Sequence, residues 1–201
     1  MTVQEIVETW GISFPKEEKE DLYLPEFLLE KFPSKCFFID FFPKTVSVNN
    51  GYKYGQLEEK AVDLICDRTY LAFLKLWVYD NLYFESELLY KKGSSKKYFM
   101  KRKLLKELTT NCVESVDHLK TLWYLSKKNI IDIVFVFEKS HMVIVPSWTG
   151  FFLFVENDLI LPLLKDIFIS EGLFLRDRRS SEEEFYPHGN DNTIVDSTNI
   201  Q

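Results

Sequence analysis

Residues Ile130 to Phe137 read IIDIVFVF, and this octet decides the fold. β-branched and aromatic side chains fill every position except Asp132, the composition of a strand rather than a helix. Beyond Asp132 the run does not alternate with polar residues, so both faces of the strand are expected to be buried. Glu138-Lys139-Ser140 is a tight connection, and His141 to Val145 (HMVIV) is a second strand closed by Pro146. Ser147 to Gly150 turns the chain, and Phe151 to Val155 (FFLFV) is a third strand. Such short connections join antiparallel neighbours, because a parallel crossover needs a dozen residues or more.

Working outward, Asn157 or Asp158 can cap a helix running to Glu171, with Pro162 in its first turn and Gly172 past its end. Leu173 to Leu175 then suits a short edge strand. On the other side, Ser115 to Lys127 reads as a helix whose apolar face is Val116, Leu119, Leu122, Trp123 and Leu125. Asp117 in its first turn and Lys127 in its last complement the helix dipole. Lys91 to Ser95 (KKGSS) is a turn, followed by a helix from Lys96 to Leu108. Gln56 to Asp67 is helical by spacing. Tyr70 to Tyr79 either extends that helix or pairs as a strand with Leu82 to Tyr90. Asn50-Gly51, between Thr45–Val48 and Tyr52–Tyr54, signals a hairpin, because both turn positions favour positive φ. Cys36 to Phe42 is a dense aromatic run, and Pro25 opens a two-turn helix that stops before Pro33. Thr2 and Glu5 form a capping box ahead of Val3, Ile6, Val7 and Trp10, with Gly11 as the stop.

These elements describe an α+β fold, mainly an antiparallel sheet built from hairpins, with helices packed on at least one face. The chain has 201 residues, 46% hydrophobic and 28% charged, which suits one globular domain over residues 1–176. Residues 177–201 are polar and read as a weakly packed tail. With 7 Gly, 7 Pro and 3 Cys, collagen-like and disulfide-scaffold classes are excluded. The N-terminus lacks the basic and apolar regions of a signal peptide, and no apolar run is long enough to cross a membrane. Cys36, Cys66 and Cys112 are widely spaced and form no CxxC pair, which suits reduced thiols in the cytoplasm.

The search for chemistry is sparse. His118, His141 and His188 stand apart, none in an HxxxH or HExxH spacing. His118 reads as a partly exposed helical side chain and His141 as a hydrogen-bonded strand-end side chain. No GxSxG elbow and no glycine-rich phosphate loop occur. A metal-dependent nuclease would need an Asp and a Glu-x-Lys on adjacent strands, and the chain offers no such pairing. No cofactor and no metal are expected.

One compositional anomaly stands out. Lys91, Lys92, Lys96, Lys97, Lys101, Arg102, Lys103 and Lys106 fall together with no acid among them. The whole chain carries 25 basic and 31 acidic residues, so the remainder is strongly acidic. Lys96, Lys97, Lys101, Arg102 and Lys103 are the candidates for nucleic-acid contact, with Tyr98 and Phe99 available to stack on bases.

The leading expectation is a non-catalytic cytoplasmic protein that binds another protein, immunity- or antitoxin-like, masking a basic partner. Its contact candidates are Glu17, Glu18, Glu20 and Asp21 in the acidic stretch, and Trp148 in the turn after Pro146. Nucleic-acid binding through 91–106 is one alternative. An enzyme whose site joins Asp132 or Glu138 to a histidine only in the fold is another, and no membrane partner is expected.

Overall fold

The computed structural model describes residues 2–15, 23–41, 51–89, 108, 110–147 and 150–177. Thr2 caps the first helix, α1 (Val3–Thr9), with the reciprocal hydrogen bonds of a capping box. Gly11 takes a φ of 84° where the chain leaves it. Next come α2 (Leu24–Lys31), a 3-10 turn (Pro33–Lys35), β1 (Cys36–Asp40) and α3 (Gly51–Trp77). Strand β2 (Leu82–Leu88) leads to α4 (Val116–Lys127), then β3 (Ile131–Phe137), β4 (Met142–Ser147) and β5 (Gly150–Val155). The 3-10 turn Asp158–Ile160, α5 (Leu161–Ser170) and β6 (Phe174–Asp177) finish the described chain.

The six strands form one sheet in the order β2-β3-β4-β5-β1-β6, and every pairing is antiparallel. β3, β4 and β5 are the meander read from IIDIVFVF onward. Alternate residues of β3 serve two different cores. Ile131, Ile133, Phe135 and Phe137 face α3, α4 and α5. Val134 and Val136 face α1 and α2, together with Val143, Val145, Phe152 and Phe154. The missing alternation in the sequence therefore has a physical cause: helices cover the sheet on both sides. Phe73 of α3 centres the larger core, with its ring edge-on to Trp123, Phe135 and Phe137.

Several expectations need correction. Tyr52 to Tyr54 is not the second arm of a hairpin but lies in α3. Thr45 to Val48 and Asn50 fall outside the described residues. The ambiguity at Tyr70 to Tyr79 resolves as helix through Trp77, and Leu82 to Leu88 pairs with β3 instead. Val116 is exposed rather than part of the apolar face, whereas Leu119, Leu122, Trp123 and Leu125 are buried as expected. His118 is buried rather than partly exposed, and its ring stands edge-on to Phe84. Pro146 lies within β4, opposite Phe151 of β5, instead of closing the strand. The KKGSS turn and all but the end of the 96–108 helix lie outside the described residues, as does 178–201.

Candidate functional site

The register gives the sheet two ends of different character. At the turn end lie the β3–β4 connection, the end of β5 and the start of β1. At the opposite end lie the start of β3, the end of β4, the start of β5 and the end of β2.

The turn end is closed by paired polar groups. The buried Asp80 carboxylate accepts the backbone N–H groups of Lys139 and Ser140, both at 2.8 Å. His141 takes a φ of 51°, its ring stacks on Trp10, and its Nδ1 lies 3.2 Å from Glu156 Oε2. Lys35 reaches the other Glu156 oxygen at 3.2 Å. Burial pushes the Glu156 carboxyl upward, but the hydrogen bonds from His141 and Lys35 outweigh it and hold the group below the usual carboxylate range. His141 thus plays the strand-end role expected of it, one residue before β4 begins.

The opposite end holds a cleft of about 510 Å³. Its floor is apolar: Ile131, Val145, Leu89, and the rings of Trp123 and Phe151, stacked at 5.6 Å with 5° between their planes. One wall carries Tyr23, whose hydroxyl donates to Asp132 Oδ2 at 3.1 Å. Burial, followed by the adjacent Asp132 charge, pushes the Tyr23 phenol well above its ordinary value. The facing wall carries Lys127 of α4, held by Asp63 at 2.9 Å and Asp67 at 3.3 Å from α3. Partial burial disfavours the Lys127 ammonium, but these two carboxylates reverse the effect and raise its affinity for the proton. Cys66 stands beside them with its thiol pushed up by burial, so it is a poor nucleophile at neutral pH.

A second, shallower groove of about 110 Å³ shares Tyr23 and Asp132 and runs along Glu85 and Glu87 toward Gln4. Glu87 stands directly opposite Asp132 across the β2–β3 pair. Like charges in register oppose each other, so this arrangement does not serve the sheet.

The groups suggested for a catalytic site do not meet. Asp132 lines the cleft, but no histidine does among the described residues. Glu138 accepts a hydrogen bond from Asn81 at the turn end, and His141 is engaged there too. His118 Nδ1 accepts the Glu114 N–H at 3.4 Å, at the start of α4. Among the described residues no cluster of His, Cys, Asp and Glu is arranged to hold a metal, and no helix is long and apolar enough to cross a membrane. The three cysteines are free thiols, with Cys36 buried and Cys66 and Cys112 half-buried.

The binding candidates read from the sequence lie outside the described residues: Glu17, Glu18, Glu20, Asp21, Trp148, Lys96, Lys97, Lys101, Arg102 and Lys103. Their points of attachment do not. The acidic stretch runs into Tyr23, a wall of the cleft. The Trp148 turn connects Ser147 to Gly150, next to the lining residues Pro146 and Phe151. The basic stretch begins two residues beyond Leu89, also a lining residue. Sequence reasoning singled out all three segments and missed the cleft beside their points of attachment. Its lining comes from α3, α4 and the β3–β5 meander together with Tyr23 and Leu89, and only the Pro146–Phe151 part had a local signal.

No family model, no curated protein and no solved structure matches the chain.

Proposed function

We propose that the chain is a non-catalytic binding protein, immunity- or antitoxin-like, that receives a partner protein at the cleft end of its sheet. One observation carries this reading: a cleft with an apolar floor and the carboxylates of Asp63 and Asp132 in its lining lies where the acidic stretch 16–22 and the Trp148 turn join the described chain. An apolar floor with a few fixed polar groups is the usual form of a recognition pocket. Asp132, Glu85 and Glu87 add negative charge beside it, which favours a basic segment of the partner. The three free thiols suit a reducing compartment, and the cytoplasm is the location this reading assigns.

The test compares two charge changes. The partner captured by the wild-type chain is expected to be lost with Asp132→Arg at the cleft and retained with Glu156→Gln at the turn end. Equal retention by both variants would refute the reading.

A second reading has its own support, because the basic stretch 91–106 begins two residues past Leu89 and the cleft is also lined by Lys127 and Lys128. Nucleic acid bound there would show an affinity falling steeply with salt and abolished by the triple change Lys101→Glu, Arg102→Glu, Lys103→Glu. Binding to a labelled oligonucleotide that ignores that change removes this alternative.

A further inference from the structure

Strand β2 is an edge of the sheet, paired with β3 on one side, and it runs to the cleft, where Leu89 follows it. Its bonding pattern fixes which backbone groups point outward. Glu138 donates to the Asn81 carbonyl and Leu89 donates to the Ile130 carbonyl, both at 3.1 Å, so the odd-numbered residues bond to β3. Bonding alternates along an antiparallel strand, so Leu82, Phe84, Ser86 and Leu88 turn their backbone groups to the outer side. Two of these groups are used: Val113 donates to the Leu82 carbonyl at 2.8 Å, and Phe84 donates to the Asn111 carbonyl at 2.9 Å. That pairing is a single bridge, Tyr83 with Cys112, and goes no further among the described residues. The Phe84 carbonyl, the N–H and carbonyl of Ser86 and the Leu88 N–H have no hydrogen bond among the described residues.

The side chains beside this free stretch are acidic. Glu85 and Glu87 are exposed, share a face of the sheet with Asp132, and make no ion pair among the described residues. With Asp132 and Gln4 they line the groove of about 110 Å³, which also reaches Ser86. Charge on an edge strand bars pairing with edges of like charge. A second copy of the chain therefore does not fit: antiparallel pairing of Ser86 with Phe84, Ser86 or Leu88 of the copy sets glutamate against glutamate in every case. An extended segment with lysine or arginine at alternate positions meets the same edge with opposite charge, because residues two apart on a strand share a face.

We propose, resting on the partner-binding reading above, that the partner's contact segment is such a basic strand, hydrogen-bonded to the outer edge of β2 over Phe84–Leu88 with its cations on Glu85 and Glu87. In strand addition the main-chain hydrogen bonds supply affinity and the alternate side chains supply specificity. One end of the added strand lies beside Leu88, next to Leu89 in the cleft lining.

The test follows amide hydrogen exchange at Ser86 and Leu88 by NMR in the full chain, with a synthetic peptide of alternating lysine and valine as the probe. Both amides are expected to exchange readily in the free chain, and at least about fivefold more slowly with the peptide at low salt. The slowing is expected to be abolished by Glu85→Lys and Glu87→Lys together, and by N-methylation of the peptide backbone. Ser86→Pro, read at Leu88, is expected to abolish it too, since the proline removes an outward N–H and no bond to β3. A peptide of alternating glutamate and valine is expected to have no effect. No slowing, or slowing that survives the charge reversal or the N-methylation, would overturn the proposal. Amides already protected in the free chain would also overturn it, since the edge would be held by the chain itself or, where protection rises with protein concentration, by a second copy. A partner captured by the wild type, lost with Asp132→Arg but retained with Glu85→Lys and Glu87→Lys together, would leave the cleft reading standing and overturn the added strand. Retention by both variants would refute the two together.

Discussion

The two ends of the sheet are built from the same strands and finished in opposite ways. At the turn end polar groups are paired within the fold: Asp80 holds two backbone N–H groups, and Glu156 is shared between Lys35 and His141. At the cleft end the Trp123 and Phe151 rings are left lining an open space, and Asp132 faces Glu87 across the strands. The first end spends its side chains on closing the fold. The second leaves charged groups around a cleft whose apolar lining, Trp123, Phe151, Ile131 and Val145, is largely buried.

The largest effect expected from breaking this contrast lies at the turn end. Asp80→Ala removes the buried carboxylate that accepts from two backbone donors, and each hydrogen bond to a charged group is worth about 1.5–3 kcal/mol. A loss of about 3 kcal/mol in urea unfolding is expected. Asp132→Ala at the cleft end loses one hydrogen bond from Tyr23 but relieves the repulsion with Glu87, so its cost is expected to stay below about 1 kcal/mol. If Asp132→Ala proves as damaging as Asp80→Ala, the cleft end is structural and the contrast fails.

A smaller effect separates the ends by pH. Glu156 has its carboxyl depressed in the fold, so its contribution is present above the unfolded carboxylate pKa and is lost as the pH falls through the lower, folded one. The pair is partly exposed, so the contribution is up to about 1 kcal/mol. The stability gap between wild type and Glu156→Gln should therefore be present at neutral pH and close on acidification. A gap that widens in acid would show that the hydrogen bonds from His141 and Lys35 do not govern the site.

What was legible in the sequence follows the locality of the signal. The β3–β5 meander, the Thr2 capping box and the Gly172 stop each depend on residues a few positions apart, and all are present. Asn50-Gly51 misled, because a turn signal is local while the helix starting at Gly51 is fixed by the burial of Ala72, Phe73 and Leu76 far along it. His118 was misjudged because its burial depends on Phe84, which lies on another element. The cleft was invisible for the same reason: Tyr23, Asp63, Trp123, Asp132 and Phe151 are brought together by tertiary packing alone. Asp132 is the one acid in the IIDIVFVF run, and its partner Tyr23 lies 109 positions away.

The smallest effect belongs to Tyr23, and its sign is opposite to that of Glu156. Burial and the neighbouring Asp132 raise the phenol above its ordinary value, so the folded state holds this proton more tightly than the unfolded chain. The stability it contributes is fully present below the unfolded tyrosine pKa, about 10, and is lost as the pH rises toward the higher folded one. Lys127, on the facing wall, is raised by Asp63 and Asp67 and adds a loss of the same sign. Its acidic partner Asp63 is fully solvated, so its own depressed carboxyl, held down by the Lys127 hydrogen bond, brings only a screened loss in acid. Tyr23→Phe keeps the ring and removes the proton. It is expected to cost about 0.5–1 kcal/mol at neutral pH, and this difference should vanish or reverse above about pH 10. A difference that stays constant into the alkaline range would mean that Tyr23 acts through packing alone. The Asp132 carboxylate would then be open to a partner's cation, and the cleft would be more acidic than its hydrogen bond implies.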